Sequence, residues 1–249
     1  MLWIPALLAN IALTAALYLY ARRWRSRDFA GSLVSTYIWG AVMIIPIMVF
    51  QTAAFSYISE DQMSLPLLLI SAFGCTALVE TILKFLALYA DTRRTRLYRL
   101  RFDAVLITVF LFCGFQLAEL LFLIINPINR EGVWLRYLTG LPLQVCTGAL
   151  MGCFYGRTKT FCVPYVFNNT CAILLPFLAH GIWETAILAC LNGNAFGPPL
   201  LIVCSAAALG LTGWLFVREA LRVRGLTLRA EAEEAERIRR REEEEANHE

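Results

Sequence analysis

The chain has 249 residues, of which 59% are hydrophobic and only 16% charged, and its mean hydropathy is +0.61. A soluble domain of this length is nearer half apolar and a quarter charged. Of 22 basic and 19 acidic side chains, eight arginines and ten glutamates fall in residues 218–249. This distribution excludes an ordinary soluble enzyme, a disordered chain and a secreted disulfide scaffold. It leaves an all-α, polytopic transmembrane bundle over 1–217 followed by a charged cytoplasmic tail over 218–249.

A membrane helix needs about 20 largely apolar residues. Seven stretches meet that need, at about 2–20, 31–56, 65–90, 104–126, 137–156, 171–190 and 200–217. The first is followed, not preceded, by Arg22, Arg23, Arg25 and Arg27, which is the reverse of a secretory signal. It reads as a retained span. Nineteen of the 22 basic residues then lie on one side of the bundle, Arg130 and Arg136 on the other, and Lys84 inside a span. By the positive-inside rule the N-terminus is outside and the C-terminus inside. The Asn168–Asn169–Thr170 sequence falls on the inner side, just before the sixth span.

Gly148, Gly152 and Gly156 make a double GxxxG in the fifth span, a flat ridge along which a neighbouring helix can approach closely. The eight cysteines lie in or beside apolar stretches and form no CxxC. They read as small buried hydrophobes, with neither a disulfide framework nor a cysteine-ligated metal expected. The tail beyond Gly225 reads as a solvated helix with mixed Arg and Glu spacing.

Five ionisable side chains lie well inside spans: Glu80 and Lys84 in the third, Glu119 in the fourth, His180 and Glu184 in the sixth. Each costs about 2.5–3.5 kcal/mol at mid-bilayer on insertion scales, so they should face each other or water. Glu80 and Lys84 share a helix face at i,i+4, as do His180 and Glu184. If the three faces converge, a buried carboxylate there can act as a general base near neutral pH and activate water. Glutamate and histidine also ligate zinc, so Glu80, Glu119 and His180 form a candidate ligand set for Zn2+. There is no HExxH, and the other histidine, His248, is in the tail.

Taken in order, these residues resemble the motifs of the PrsW family of intramembrane proteases. That family belongs to the wider superfamily of CAAX prenyl endopeptidases and bacteriocin-processing enzymes. Its EExxK reads here Glu80-Thr81-Ile82-Leu83-Lys84. Its Asp before GFxxxE reads Asp103, then Gly114-Phe115-Gln116-Leu117-Ala118-Glu119. Its Arg, Pro and His ahead of a glycine ridge read Arg136, Pro142 and Gln144, and its HxxxD reads His180-Gly181-Ile182-Trp183-Glu184. The resemblance covers about 80–184 and departs at Thr81, Gln144 and Glu184.

The resemblance implies that Glu80 activates water in a cavity between transmembrane helices. It further implies that Glu119 and His180 hold the water, a metal or the oxyanion, that Lys84 and Glu184 balance charge, and that Asp103, Arg136 and Gln144 support them. It implies a multi-pass protein of the cell membrane surrounded by lipid, with no nucleic-acid partner. The substrate implied is a single-span membrane protein, with a membrane-anchored anti-sigma factor of an extracytoplasmic stress pathway as the family's type. Thr81 and Gln144 keep a second reading open, a relative that binds transmembrane substrates without cutting them. Buried Glu, Lys and His also build proton relays, which keeps an ion- or proton-coupled transporter as a third.

The charge asymmetry has a direct test. Reporter fusions after residue 60 and after residue 245 should report opposite compartments; the same compartment for both would mean that the span count or the orientation is wrong.

Overall fold

The structure is a computed structural model, and it describes residues 3–24, 27–55, 64–94, 101–125, 130–160, 164–218 and 221. The charged tail beyond 221 lies outside the described residues. The chain divides into two units, 1–212 and 213–249, and the packing below belongs to the first.

Among the described residues every regular element is helical. The elements are α1 (Trp3–Trp24), α2 (Arg27–Val42), α3 (Ile44–Phe55), α4 (Leu65–Leu69), a π-helical segment (Ile70–Leu78), α5 (Val79–Arg94), α6 (Arg101–Ile125), α7 (Arg130–Thr160) and α8 (Tyr165–Leu191). Seven helices are long and apolar enough to cross a membrane: Ile4–Arg23, Asp28–Ala54, Leu65–Thr92, Phe102–Ile125, Leu138–Thr158, Tyr165–Leu191 and Gly197–Arg218. The expected polytopic helical bundle is therefore the fold observed.

Local chemistry explains where the spans bend. Pro46 lacks an N–H and its ring would strike the carbonyl of Val42, so the second span breaks at Met43 into α2 and α3. The sixth span begins at Tyr165, six residues before the expected start, because Pro164 opens the helix at its N-cap. Asn168 and Asn169 consequently sit on helix α8, and the Asn168 amide donates to the Pro164 carbonyl at 3.0 Å. The third span contains the wide turns of Ile70–Leu78 immediately before Glu80. Such turns are uncommon and concentrate at functional sites.

Helix α6 is the centre of the bundle. Two-thirds of its membrane window is buried, against 17% for the first and the last spans. Helices α2 and α7 pack on it through glycine. A Cβ on Gly40 would collide with the Leu111 carbonyl, and one on Gly114 with the Tyr37 carbonyl, so α2 and α6 meet backbone to backbone. On the other side, a Cβ on Gly148 would stand 3.2 Å from the Thr108 carbonyl oxygen, and one on Gly152 would stand 2.6 Å from Val105 Cα. Two glycines of the double GxxxG thus set the approach of α7 to α6. Buried Asn10 ties three helices together: its amide donates to the Cys113 carbonyl at 3.0 Å and accepts from the Tyr37 hydroxyl at 2.9 Å. The seven described cysteines are free thiols, buried or half-buried.

Because the clash at Gly114 is with backbone, nothing can rotate away. Gly114→Ala should lower stability by about 1–3 kcal/mol, read as thermal unfolding in detergent. Gly31→Ala, where a Cβ meets nothing within 4 Å, should stay within about 0.5 kcal/mol.

Candidate active site

Helix α5 presents Glu80 and Lys84 one turn apart, and both are buried, at 3% and 1% exposure. The Lys84 ammonium donates to Glu80 Oε2 at 2.9 Å and to Gln144 Oε1 at 3.0 Å. It also stands 3.6 Å from the ring centroid of Phe115 and 4.8 Å from that of Phe112, so two aromatic faces of α6 complete its shell. The other Glu80 oxygen, Oε1, accepts from the Gln51 amide at 3.1 Å. His180 Nδ1 lies 3.7 Å from Glu80 Oε2. The two oxygens of Glu80 are thereby made different: one faces a neutral amide, the other an ammonium and an imidazole.

A second charged group lies two turns from Gln144 along α7 and one turn from His180 along α8. The Arg136 guanidinium bonds Glu184 through both nitrogens, with Nη1 to Oε2 at 3.0 Å and Nη2 to Oε1. It also faces Glu119 Oε1 at 3.8 Å and lies over the Trp183 ring, 5.7 Å from its centroid. The bidentate fork fixes Glu184 in a way that a lysine could not. Trp183 in turn meets the His180 ring edge-on at 5.8 Å and donates to the Thr139 hydroxyl at 2.9 Å. The contact of the His180 ring with Trp183, which lies beside Arg136, joins the two groups into one network.

The structure therefore brings Glu80, Lys84, Glu119, His180, Glu184, Arg136 and Gln144 together from four helices. Asp103 does not join them. It is fully buried near the start of α6, sixteen residues before Glu119, or about 24 Å along the helix axis. Gln51, which touches Glu80 directly, is not among the sequence candidates; a lone amide in the last turn of an apolar span was the available signal. Gly181 has a steric reason, because a Cβ there would strike the Phe73 ring of the π-helical segment. Next to the network, an apolar cavity of about 650 Å³ is lined by Leu135, Thr139, Cys190, Leu191, Pro198, Leu201, Ile202 and Ser205.

Seven membrane-length helices among the described residues, with a buried carboxylate–imidazole–ammonium network between five helical segments, define the class: a polytopic membrane protein with a polar site inside its bundle. Comparison with known proteins identifies the family. Residues 30–212 match the description "PrsW family intramembrane metalloprotease". The chain is 31% identical to Protease PrsW of Oceanobacillus iheyensis over 153 residues, which are 61% of this chain and 68% of that protein. It is 28% identical to Protease PrsW of Halalkalibacterium halodurans over 185 residues, 73% of this chain and 83% of that one. No solved structure is a significant match. The chain belongs to the PrsW family of intramembrane proteases.

The family description implies a metal, and the donors can be tested against it. Among the described residues no three His, Cys, Asp or Glu side chains converge where they could hold an ion. Glu80 is engaged by Lys84 and Gln51, and Glu184 by Arg136. The candidate set Glu80, Glu119 and His180 is not assembled as ligands in this arrangement, so the residues as placed do not fit a metal.

Removing one partner of a buried pair leaves the other charge stranded. Lys84→Met should cost about 3–5 kcal/mol, and Lys84→Met combined with Glu80→Gln should recover most of it. Unfolding of the four proteins in detergent gives the coupling, and additive effects would show that the pair carries no such energy.

Proposed function

We propose that this protein is an intramembrane endopeptidase that cuts single-span membrane proteins with water activated by Glu80. The observation that carries the reading is the buried contact of Glu80 with His180, 3.7 Å apart, from helices a hundred residues apart in sequence. Gln51 and Lys84 fix the carboxylate in place. Proton transfer needs that kind of positioning before it needs anything else.

In the proposed reaction, water adds to the scissile carbonyl carbon while Glu80 accepts its proton. The carbon–nitrogen bond then breaks, and the same proton passes to the leaving amine, which gives a carboxylic acid and an amine. His180, the one imidazole among the described spans, is the group that can donate to or accept from the reacting oxygens near neutral pH. Arg136, held in place by Glu184, presents guanidinium N–H donors at the edge of the site, although Glu184 and Glu119 offset its charge. The apolar cavity beside Thr139 suits a large apolar side chain of the substrate.

Several further expectations belong to the same proposal. The site is reached from the outer face, the protein resides in the cell membrane, and the charged tail is cytoplasmic. The substrate class that the family resemblance implies is a membrane-anchored anti-sigma factor. Gln144 and Thr81 support the second reading, binding without cleavage: Gln144 accepts from Lys84, and Thr81 is a buried hydroxyl beside Glu80 where the family pattern has a carboxylate.

Incubation of the purified protein with single-span substrates decides between them. Glu80→Gln keeps the shape but cannot take a proton from water, so cleavage should fall by about 10²–10⁴-fold. Because it also removes the counter-charge of Lys84, thermal unfolding is read beside cleavage, and Glu80→Gln with Lys84→Met is the charge-balanced control. His180→Ala should be at least as damaging. The double variant Thr81→Glu, Gln144→His restores the family pattern, and its activity should exceed that of the natural chain. Full cleavage by Glu80→Gln would make Glu80 a structural partner of Lys84 only. Failure of both natural and restored chains to cut any substrate would leave the binding reading.

A further inference from the structure

Helix α7 presents three positions at one-turn intervals to the site: Arg136, Gly140 and Gln144. Arg136 meets Glu184 and Glu119, and Gln144 meets Lys84. Between them, Gly140 faces the amide of Gln116 on α6. A Cβ built on Gly140 would stand 3.0 Å from Gln116 Oε1 and 3.1 Å from Nε2. A larger residue at 140 would press on the amide and make it shift. Gln116 is 1% exposed, and its Oε1 finds no hydrogen-bond partner in the protein. It lies one residue after Phe115, which packs on Lys84, and one turn before Glu119.

A buried amide oxygen without a partner costs about 1–3 kcal/mol. Gln116 is therefore poorly explained as a packing residue, since a leucine would fill the same volume without that penalty. Its chemistry fits one class of ligand. A peptide bond can be cut only where the helix is opened, and opening a helix inside a membrane frees backbone N–H and C=O groups that find no water there. A carboxamide holds a C=O acceptor and N–H donors in one plane, and the free Gln116 Oε1 can accept from a freed backbone N–H.

We propose that Gln116 is the residue that receives the opened substrate backbone, a positioning residue one helical turn from both charged groups. This rests on the reading of the site as a protease site and names the part of the substrate that the site recognises. It makes recognition depend on an opened backbone as distinct from side-chain sequence, and it places the contact at the level of Gly140.

The test uses the full chain with Glu80→Gln, so that nothing is cut. The probes are two synthetic Leu/Ala-rich spans of about 20 residues, one uninterrupted and one with a central Gly-Pro pair that opens the helix. The Glu80→Gln protein should bind the interrupted span about fivefold to tenfold more tightly, the worth of one neutral hydrogen bond. Adding Gln116→Leu should abolish the preference and leave the uninterrupted span bound as before, and the midpoint of thermal unfolding should hold or rise.

Three results would overturn the inference: no preference in the Glu80→Gln protein, a preference that survives Gln116→Leu, or a fall in thermal stability with the preference intact. The natural chain is tested in parallel for cutting the interrupted span. A Gln116-dependent preference without cutting upholds the backbone contact and sinks the protease reading alone.

Discussion

An ammonium group 1% exposed inside an apolar bundle must be answered on every side, and the surroundings of Lys84 follow from that need. Glu80 supplies the counter-charge, Gln144 an acceptor, and Phe115 and Phe112 the faces of two rings. Each answer comes from a different turn of α5, α6 or α7. Fixing Lys84 therefore fixes the rotation of these helices about their own axes. Gln51 then completes Glu80 from α3, and His180 arrives from α8. One residue too expensive to leave alone in hydrocarbon aligns five helical segments.

Such alignment works only if the helices are close. Side chains as short as Glu and Gln reach one another between helices because glycine removes the bulk between α6 and its neighbours. Gly114 and Gly40 let α2 lie against α6, while Gly148 and Gly152 do the same for α7. Gly140 extends this line upward but meets an amide in place of backbone. The same device that packs the bundle at 148 and 152 leaves room for a polar group at 140, inside the charged network.

The sequence made the spans and the charged pairs legible because both rest on strong energetic terms: twenty apolar residues, and ionisable groups at one-turn spacing within them. The i,i+4 pairing of Glu80 with Lys84 needed no knowledge of the fold. Convergence between helices was legible only as a demand for partners. Gln51 and Gln116 escaped because an amide carries no charge, and the search for partners followed the ionisable groups alone. The π-helical segment is invisible for a different reason. Ile70–Leu78 is simply apolar, and its wide turns follow from contacts such as Phe73 on Gly181, which belong to tertiary structure. The break at Met43 was within reach, since Pro46 marks it. Asp103 occupies the expected place in the sequence, sixteen residues before Glu119 on the same helix.

Stability gives no reason for this network to exist. Replacing a buried ion pair by apolar side chains of similar volume is often neutral or stabilising, and in a membrane bundle leucine and valine would satisfy every helix at no electrostatic cost. The chain instead retains two cations, three carboxylates and an imidazole in one place, joined by a bidentate fork and a bridging ammonium. Most of these groups are matched with each other, which keeps the bundle intact. Gln116 is left unmatched at the level between the two charged groups, where the cost of an unmet hydrogen bond is highest because no water replaces it. A network that pairs its charged groups with one another yet leaves the Gln116 oxygen open is organised around something that arrives later, and a backbone N–H is a donor that fits an open amide oxygen.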